Sequence, residues 1–171
     1  MSKYFSYAIQ IGLLGAAFSI IAFFGIGLIL GQDPTLSSQL FSFVTVPLFV
    51  GAALYFIRWK LNDNHLSFAE GMTVGFVVYF TNALVSFVGI TIGLYLAPSL
   101  FEIIKENKLL ITADKKDFTI QQYGQEVFDR TYQSISELTV VNIALNDFIW
   151  KIVFGLFFTI IISIILRRNL N

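Results

Sequence analysis

Four long apolar blocks constrain the fold of this 171-residue sequence more than any other feature. They cover about residues 4–30, 40–59, 70–96 and 148–166, and each can cross a hydrocarbon core about 30 Å thick. Backbone polar groups in lipid need internal partners, so the blocks must be helices. We therefore expect an all-α fold, an integral membrane bundle of four transmembrane helices that forms a single membrane domain over residues 1–171.

The segment of about residues 98–147, between the third and fourth spans, is the only long polar region. Pro98 either kinks the third span or opens a new helix, because proline cannot continue a helix without losing a hydrogen bond. Apolar residues then recur near helical spacing, at Ile120, Tyr123, Val127, Ile135 and Leu138. The pattern predicts an amphipathic helical loop on the extracytoplasmic side.

The start of the third span carries a recognisable capping signal. Ser67 is followed three residues later by Glu70, just before the apolar block. This spacing is that of a capping box, in which the serine and glutamate side chains each accept a hydrogen bond from the other residue's backbone. The third helix should therefore begin immediately after Ser67.

The composition excludes several classes of function. The chain has no cysteine and one histidine, which removes thiolate chemistry and multi-histidine metal sites. Its formal net charge is zero, so it lacks the basic surface that binds nucleic acid. Asp63, His65 and Glu70 only imitate a metal site, because Glu70 already serves as a cap. We expect no catalytic residue, metal, cofactor or small-molecule ligand, and therefore no enzyme.

Small and polar residues line one face of the third span, at steps of three, four and seven residues. Similar rows occur on the first and fourth spans, and such faces let helix backbones approach closely. Packing within the bundle is the favoured interpretation; homodimerisation and a polar conduit remain open. The candidate packing residues are Gly71, Gly75, Asn82, Ser86, Gly89, Gly93 and Gly155.

Lys151, one turn into the fourth span, is the only charge that looks buried. It can pair with Asp147 four residues earlier, at the end of the loop, or extend towards the interface. The other interior candidates, such as Asn82 and Thr159, are neutral and do not exchange protons at ordinary pH. Proton-coupled transport normally needs carboxylates at membrane depth, so we expect none.

The basic residues predict the orientation in the membrane. The link between the second and third spans holds Arg58 and Lys60, and the C-terminal tail holds Arg167 and Arg168, whereas the first loop holds no basic residue. The five basic residues of the long loop are outnumbered by acids. By the positive-inside rule, both termini should be cytoplasmic.

Three features resemble a known family: the sequence Leu66-Ser-Phe-Ala-Glu-Gly71 entering a glycine-containing span, its end in Tyr95-Leu-Ala-Pro98, and a closing span with Gly155 and a dibasic end. The chain resembles the small four-span bacterial membrane proteins of domain of unknown function family 4199. This resemblance implies a multi-pass protein of the bacterial inner membrane and carries no activity or functional residues.

Two hypotheses for function follow. The first is a non-enzymatic protein of the lipid bilayer that acts by association, either with itself as a homodimer or with a membrane-protein partner. The alternative is a small transporter or channel component that passes a neutral solute. Direct contact between the small-residue rows would favour association, and a continuous cavity past Asn82 would favour transport.

Overall fold

The computed structural model describes residues 2–168, so Met1 and Asn171, at which the cytoplasmic termini are predicted, lie outside the described residues. Four helices are long and apolar enough to cross a membrane: Tyr4–Ile29, Pro34–Leu61, Phe68–Leu96 and Val140–Leu166. Within the described residues, helices and short loops make up the chain, with one antiparallel bridge between Leu66 and Arg168. The predicted all-α membrane bundle of four helices is therefore confirmed.

The helices follow one another as α1 (Ser2–Phe24), α2 (Pro34–Phe56), α3 (Phe68–Leu96), α4 (Pro98–Asp114), α5 (Lys116–Tyr123), α6 (Gln125–Ser136) and α7 (Val140–Leu166). A π-helical turn, Gly25–Ile29, extends α1, and a second, Ile57–Leu61, extends α2. At about 1.5 Å per residue, α3 is about 43 Å long, more than a hydrocarbon core requires.

The spanning helices form a bundle in which α3 packs most extensively against α7 and α1, and α2 packs against α7 and α1 in turn. Two apolar clusters fill it. One, around Val46, Val50 and Leu54, lies towards the end that carries the termini, which we call the terminal end. The other, around Phe23 and Leu94, lies at the opposite end, where it reaches Leu100 and Ile104 of α4.

The starts of α2 and α7 differ from the predicted spans, and capping explains both. Asp33 is the N-cap of α2, accepting a hydrogen bond from the Thr35 backbone at 2.9 Å, so this helix begins at Pro34 rather than near residue 40. The helix α7 begins at Val140 rather than near residue 148, because Thr139 and Asn142 form a capping box. The capping box predicted for Ser67 and Glu70 is confirmed.

Residues 98–136, which we call the cap, form helices α4, α5 and α6 over the end of the bundle opposite the termini, the cap end. The predicted apolar stripe does not run continuously through it. Gly124 has a φ of +88°, which breaks the helix between α5 and α6. As a result Val127 is exposed, and the buried residue of α6 is Phe128.

Candidate functional site

The most unusual feature of the bundle is a buried ion pair inside α7. Lys151 has no exposed surface, Asp147 is 5% exposed, and Lys151 Nζ donates a hydrogen bond of 2.5 Å to Asp147 Oδ2. Because α7 begins at Val140, Asp147 lies about 10 Å and Lys151 about 16 Å from the start of the helix. Lys151 therefore pairs with Asp147, as one of the two predicted alternatives had it, and does not extend to the interface.

A third polar group, from another helix, completes this pair. Ser38 Oγ of α2 donates a hydrogen bond of 2.9 Å to Asp147 Oδ1, so both carboxylate oxygens accept a bond. Moving an ion out of water costs several kcal/mol even after relaxation, and only a close partner with further hydrogen bonds offsets that cost. The triad Ser38, Asp147 and Lys151 has this arrangement, and it ties α2 to α7.

The register of the helices places four more polar side chains at the same level. Ser38 meets Asp147 on the parallel helices α2 and α7, so Ser42 is level with Lys151. Gly155 of α7 faces Tyr79 of the antiparallel helix α3, which brings Asn82 and Ser86 close to the level of Lys151 and Asp147. A Cβ atom on Gly15 of α1 would lie 2.6 Å from Asn82 Nδ2, and Ser19 is one turn further along α1. We call the resulting set from all four helices the polar layer: Ser19, Ser38, Ser42, Asn82, Ser86, Asp147 and Lys151.

Several atoms of the polar layer have no hydrogen-bond partner among the described residues. Ser86 Oγ donates to Asn82 Oδ1 at 3.3 Å, but Asn82 Nδ2, Ser19 Oγ and Ser42 Oγ are buried and unpaired. An unpaired buried polar group costs roughly 1–3 kcal/mol. The layer thus combines a satisfied ion pair with unsatisfied neutral groups, which separates it from an ordinary apolar core.

The predicted packing glycines all lie at contacts, but with two different helices. Gly71 and Gly75 face Ser163 and Thr159 of α7, and Gly155 of α7 faces Tyr79. The same row of α3 meets α1 further on, where Gly89 faces Ile20 and Gly93 faces Phe24. One row serves two neighbours because α3 packs between α1 and α7.

Sequence reasoning missed the contribution of α2 to the polar layer. Ser38, Ser42 and Thr45 are all buried and recur at steps of four and three residues, which is the spacing of one helix face. The signal was present, but Ser38 lay outside the predicted span of residues 40–59. The expectation that no carboxylate lies inside the spans was wrong for a similar reason, because α7 begins before Asp147 and places it inside the bundle.

The cap is held on the bundle by polar and apolar contacts of α4. Asn107 Nδ2 donates to Asp33 Oδ2 at 3.3 Å, and Lys108 Nζ donates to Thr35 Oγ1 at 2.9 Å. Leu100 packs against Gly27, where an added Cβ would lie 2.6 Å from its side chain. The helix α4 therefore crosses the cap end from α3, past the end of α1, to the start of α2.

An open apolar cleft lies between α4 and α6, on the side of α4 that faces away from the bundle. It has a volume of about 360 Å³, and we call it the cap cleft. Its lining consists of Glu106, Leu109, Leu110, Ala113 and Tyr132.

The described residues show no group that could hold a metal ion. Within residues 2–168, no three histidine, aspartate or glutamate side chains come together as possible ligands. His65 Nε2 lies 3.9 Å from Glu70 Oε2, and Glu70 accepts the bonds from Ser67 that form the capping box. Within the described part of the chain, the candidate functional features are therefore the polar layer and the cap cleft, not a metal site.

Comparison with known proteins identifies the family. The model of the family described as a protein of unknown function, DUF4199, matches residues 10–168. The chain belongs to the DUF4199 family. This match covers the cap and the four spanning helices except the first residues of α1, so the polar layer and the cap cleft both lie within the DUF4199 region. No curated protein and no solved structure matches the chain.

Proposed function

We propose that this DUF4199 protein is a non-enzymatic membrane protein that acts by association, and that the cap cleft receives a helix of its partner. The cap cleft carries the proposal, because it offers apolar side chains on a part of the chain outside the spanning helices. Tyr132 is 41% exposed in it, and Leu110 more so. Exposed tyrosine and apolar residues grouped together are typical anchors of protein interfaces.

The partner's chemistry follows from the lining of the cap cleft. Leu109, Leu110 and Ala113 suit an apolar helix face, whereas the Glu106 carboxylate suits a lysine or arginine at its edge. An amphipathic helix laid into such a groove contributes residues at steps of three and four. A second copy of the chain or a different membrane protein could supply this helix.

Contacts in the bundle interior support association over conduction. Gly71, Gly75 and Gly155 are in direct contact with side chains of the facing helix, leaving no gap between α3 and α7 there. A second candidate function, passage of a small neutral solute, is favoured by the unpaired atoms of Ser19, Ser42 and Asn82 in the polar layer. These atoms could be satisfied by water or a polar solute.

We also propose that the protein resides in a bacterial inner membrane with both termini in the cytoplasm. Arg58, Lys60, Arg167 and Arg168 cluster at the terminal end, as the positive-inside rule requires of the cytoplasmic side. In the cap, Lys108 lies 3.8 Å from Asp33 and Arg130 is paired with Glu126, so acidic neighbours offset part of its basic charge. The bacterial location follows from the family resemblance alone.

One labelling experiment tests both the orientation in the membrane and whether the bundle interior is closed to water. It is possible because single cysteines can be introduced into a chain that has none. For orientation, a membrane-impermeant thiol reagent on intact cells should label Gln32→Cys and Lys115→Cys and spare Lys60→Cys. All three positions are exposed, so differences in reactivity report sidedness rather than burial. The reverse pattern would overturn the orientation.

For closure, we expect Asn82→Cys and Ser86→Cys to stay unmodified by small water-soluble thiol reagents until the protein is denatured. Both side chains are buried in the polar layer. Val78→Cys, one turn away and buried among apolar residues, is the matched control for access through local unfolding. Rapid native labelling at Asn82 and Ser86 but not at Val78 would favour the solute pathway and contradict a closed bundle.

A further inference from the structure

The face of α4 that rests on the bundle continues beyond it. Leu100 and Ile104 have no exposed surface on this face, and Asn107 and Lys108 bond the α1–α2 loop and the start of α2. Ile111 lies seven residues after Ile104 and four after Asn107, so it belongs to the same face. Unlike its predecessors, Ile111 is 45% exposed.

The exposure of Ile111 shows where α4 leaves the bundle. Lys108 touches Thr35, in the first turn of α2, and the next turn of α4 extends past this last contact. Leu36 and Leu40 of α2, one and five residues after Thr35, are exposed along the first turns of a membrane-spanning helix. The overhanging part of α4 therefore lies at the level of side chains that must face lipid.

The part of the cap after Lys108, which we call the overhang, continues from α4 into α5, where Phe118 is 61% exposed. Between them Lys115 is exposed at the break between the two helices, whereas Lys116 Nζ lies over the Phe128 ring of α6, 5.7 Å from its centre. Phe118, two residues after Lys116, therefore lies on the face of α5 that is turned away from α6. Large apolar side chains together with lysines are characteristic of helices that lie in a membrane interface, with the lysine chains extending towards the phosphates.

We propose that the underside of α4 and α5, marked by Ile111 and Phe118, lies on the bilayer at the boundary between headgroups and acyl chains. The height of α4 carries this inference. Its bonds to Asp33 and Thr35 hold it at the level where α2 enters the membrane, and it begins at Pro98, two residues after the end of α3. At that height the bilayer itself occupies the space beneath the overhang.

The same geometry argues against a protein partner on the underside. A second copy would have to displace lipid at the level of Leu36 and Leu40 to reach Ile111. The cap cleft lies on the opposite side of α4, where Glu106 and Ala113 face α6. Membrane contact and association therefore use different surfaces, and either can hold without the other.

The depth of single nitroxide labels tests the proposal on the full chain in vesicles of phosphatidylcholine and phosphatidylglycerol. Labels on Ile111→Cys and Phe118→Cys should collide more with oxygen, which concentrates in lipid, than with a water-soluble nickel complex. The expected depth is about 5–10 Å into the boundary between headgroups and acyl chains. A label on Glu126→Cys, an exposed position two residues before the buried Phe128 and so on the opposite face of α6, should show the reverse preference.

Two results would overturn the proposal. Labels at residues 111 and 118 with the same nickel accessibility as at 126 would place the overhang in water. Shielding of both labels from oxygen and nickel alike would place the overhang against protein. Broadening of the nitroxide spectra by interaction between labels would then identify that protein as a second copy. If the Ile111 variant does not reconstitute, the Phe118 label alone decides, because that side chain is largely exposed and its replacement leaves the α4 contacts intact.

Discussion

Replacing Lys151 by methionine should lower the free energy of unfolding by about 3–5 kcal/mol, because it leaves the Asp147 carboxylate buried without its counter-charge. Only the Ser38 hydroxyl would still donate to that carboxylate. Methionine keeps the length and most of the apolar stem of lysine, so loss of packing contributes little. Unfolding of the purified protein in mixed detergent micelles, followed by circular dichroism, measures the change.

A second variant separates the charge from the shape of the site. In the double variant Asp147→Leu with Lys151→Met, no buried charge remains, and we expect stability to recover to near that of the unmodified protein. Lys60→Met, at an exposed position, should have little effect. If Lys151→Met unfolds at the same denaturant concentration as the unmodified protein, the pair does not stabilise the bundle as described.

The second large effect is expected at Gly75, where α3 touches α7. A Cβ atom there would overlap Thr159 Cγ2 and lie 2.9 Å from Thr159 Oγ1. We expect Gly75→Ala to lower the free energy of unfolding by about 1–3 kcal/mol, the usual cost of overpacking. The same unfolding measurement applies, and adding Thr159→Ala should restore much of the loss by removing both overlapping atoms.

Gly51 provides the matched control for this substitution. It is also in a spanning helix, but an added Cβ would lie 3.9 Å from Ile162 Cδ1, which is an ordinary contact. Gly51→Ala should therefore be neutral, or stabilise by up to about 1 kcal/mol through reduced freedom of the unfolded chain. Equal effects at Gly75 and Gly51 would show that close helix contact at Gly75 is not the cause.

The four helices could be predicted from sequence because hydrophobic length alone determines them in lipid. The start of α3 was equally predictable, since Ser67 and Glu70 follow the common capping-box pattern. The start of α7 was not, because its box uses Asn142 where the pattern expects glutamate or glutamine. Because α7 begins before residue 148, Asp147 lies inside the bundle rather than in the predicted loop.

Which helix each glycine of α3 would meet was beyond a sequence argument. Spacing places Gly75 and Gly93 on one face, but only the packing of α3 between α7 and α1 divides that face between two partners. The cap was similarly undetermined, because the break at Gly124 and the bonds of Asn107 to Asp33 decide how its helices fold back on the bundle. These are tertiary contacts between residues distant in sequence.

Photocrosslinking from the cap cleft in living cells tests the association proposal most directly. Tyr132 replaced by p-benzoylphenylalanine keeps an aromatic ring in the cleft, and the same replacement at Tyr123, 66% exposed but outside the cleft, is the control. We predict one discrete protein adduct from residue 132, absent from residue 123 and lost when Leu110→Asp places a charge in the cleft. A folded protein that gives no adduct at 132, or the same adducts at both positions, would contradict association through the cap.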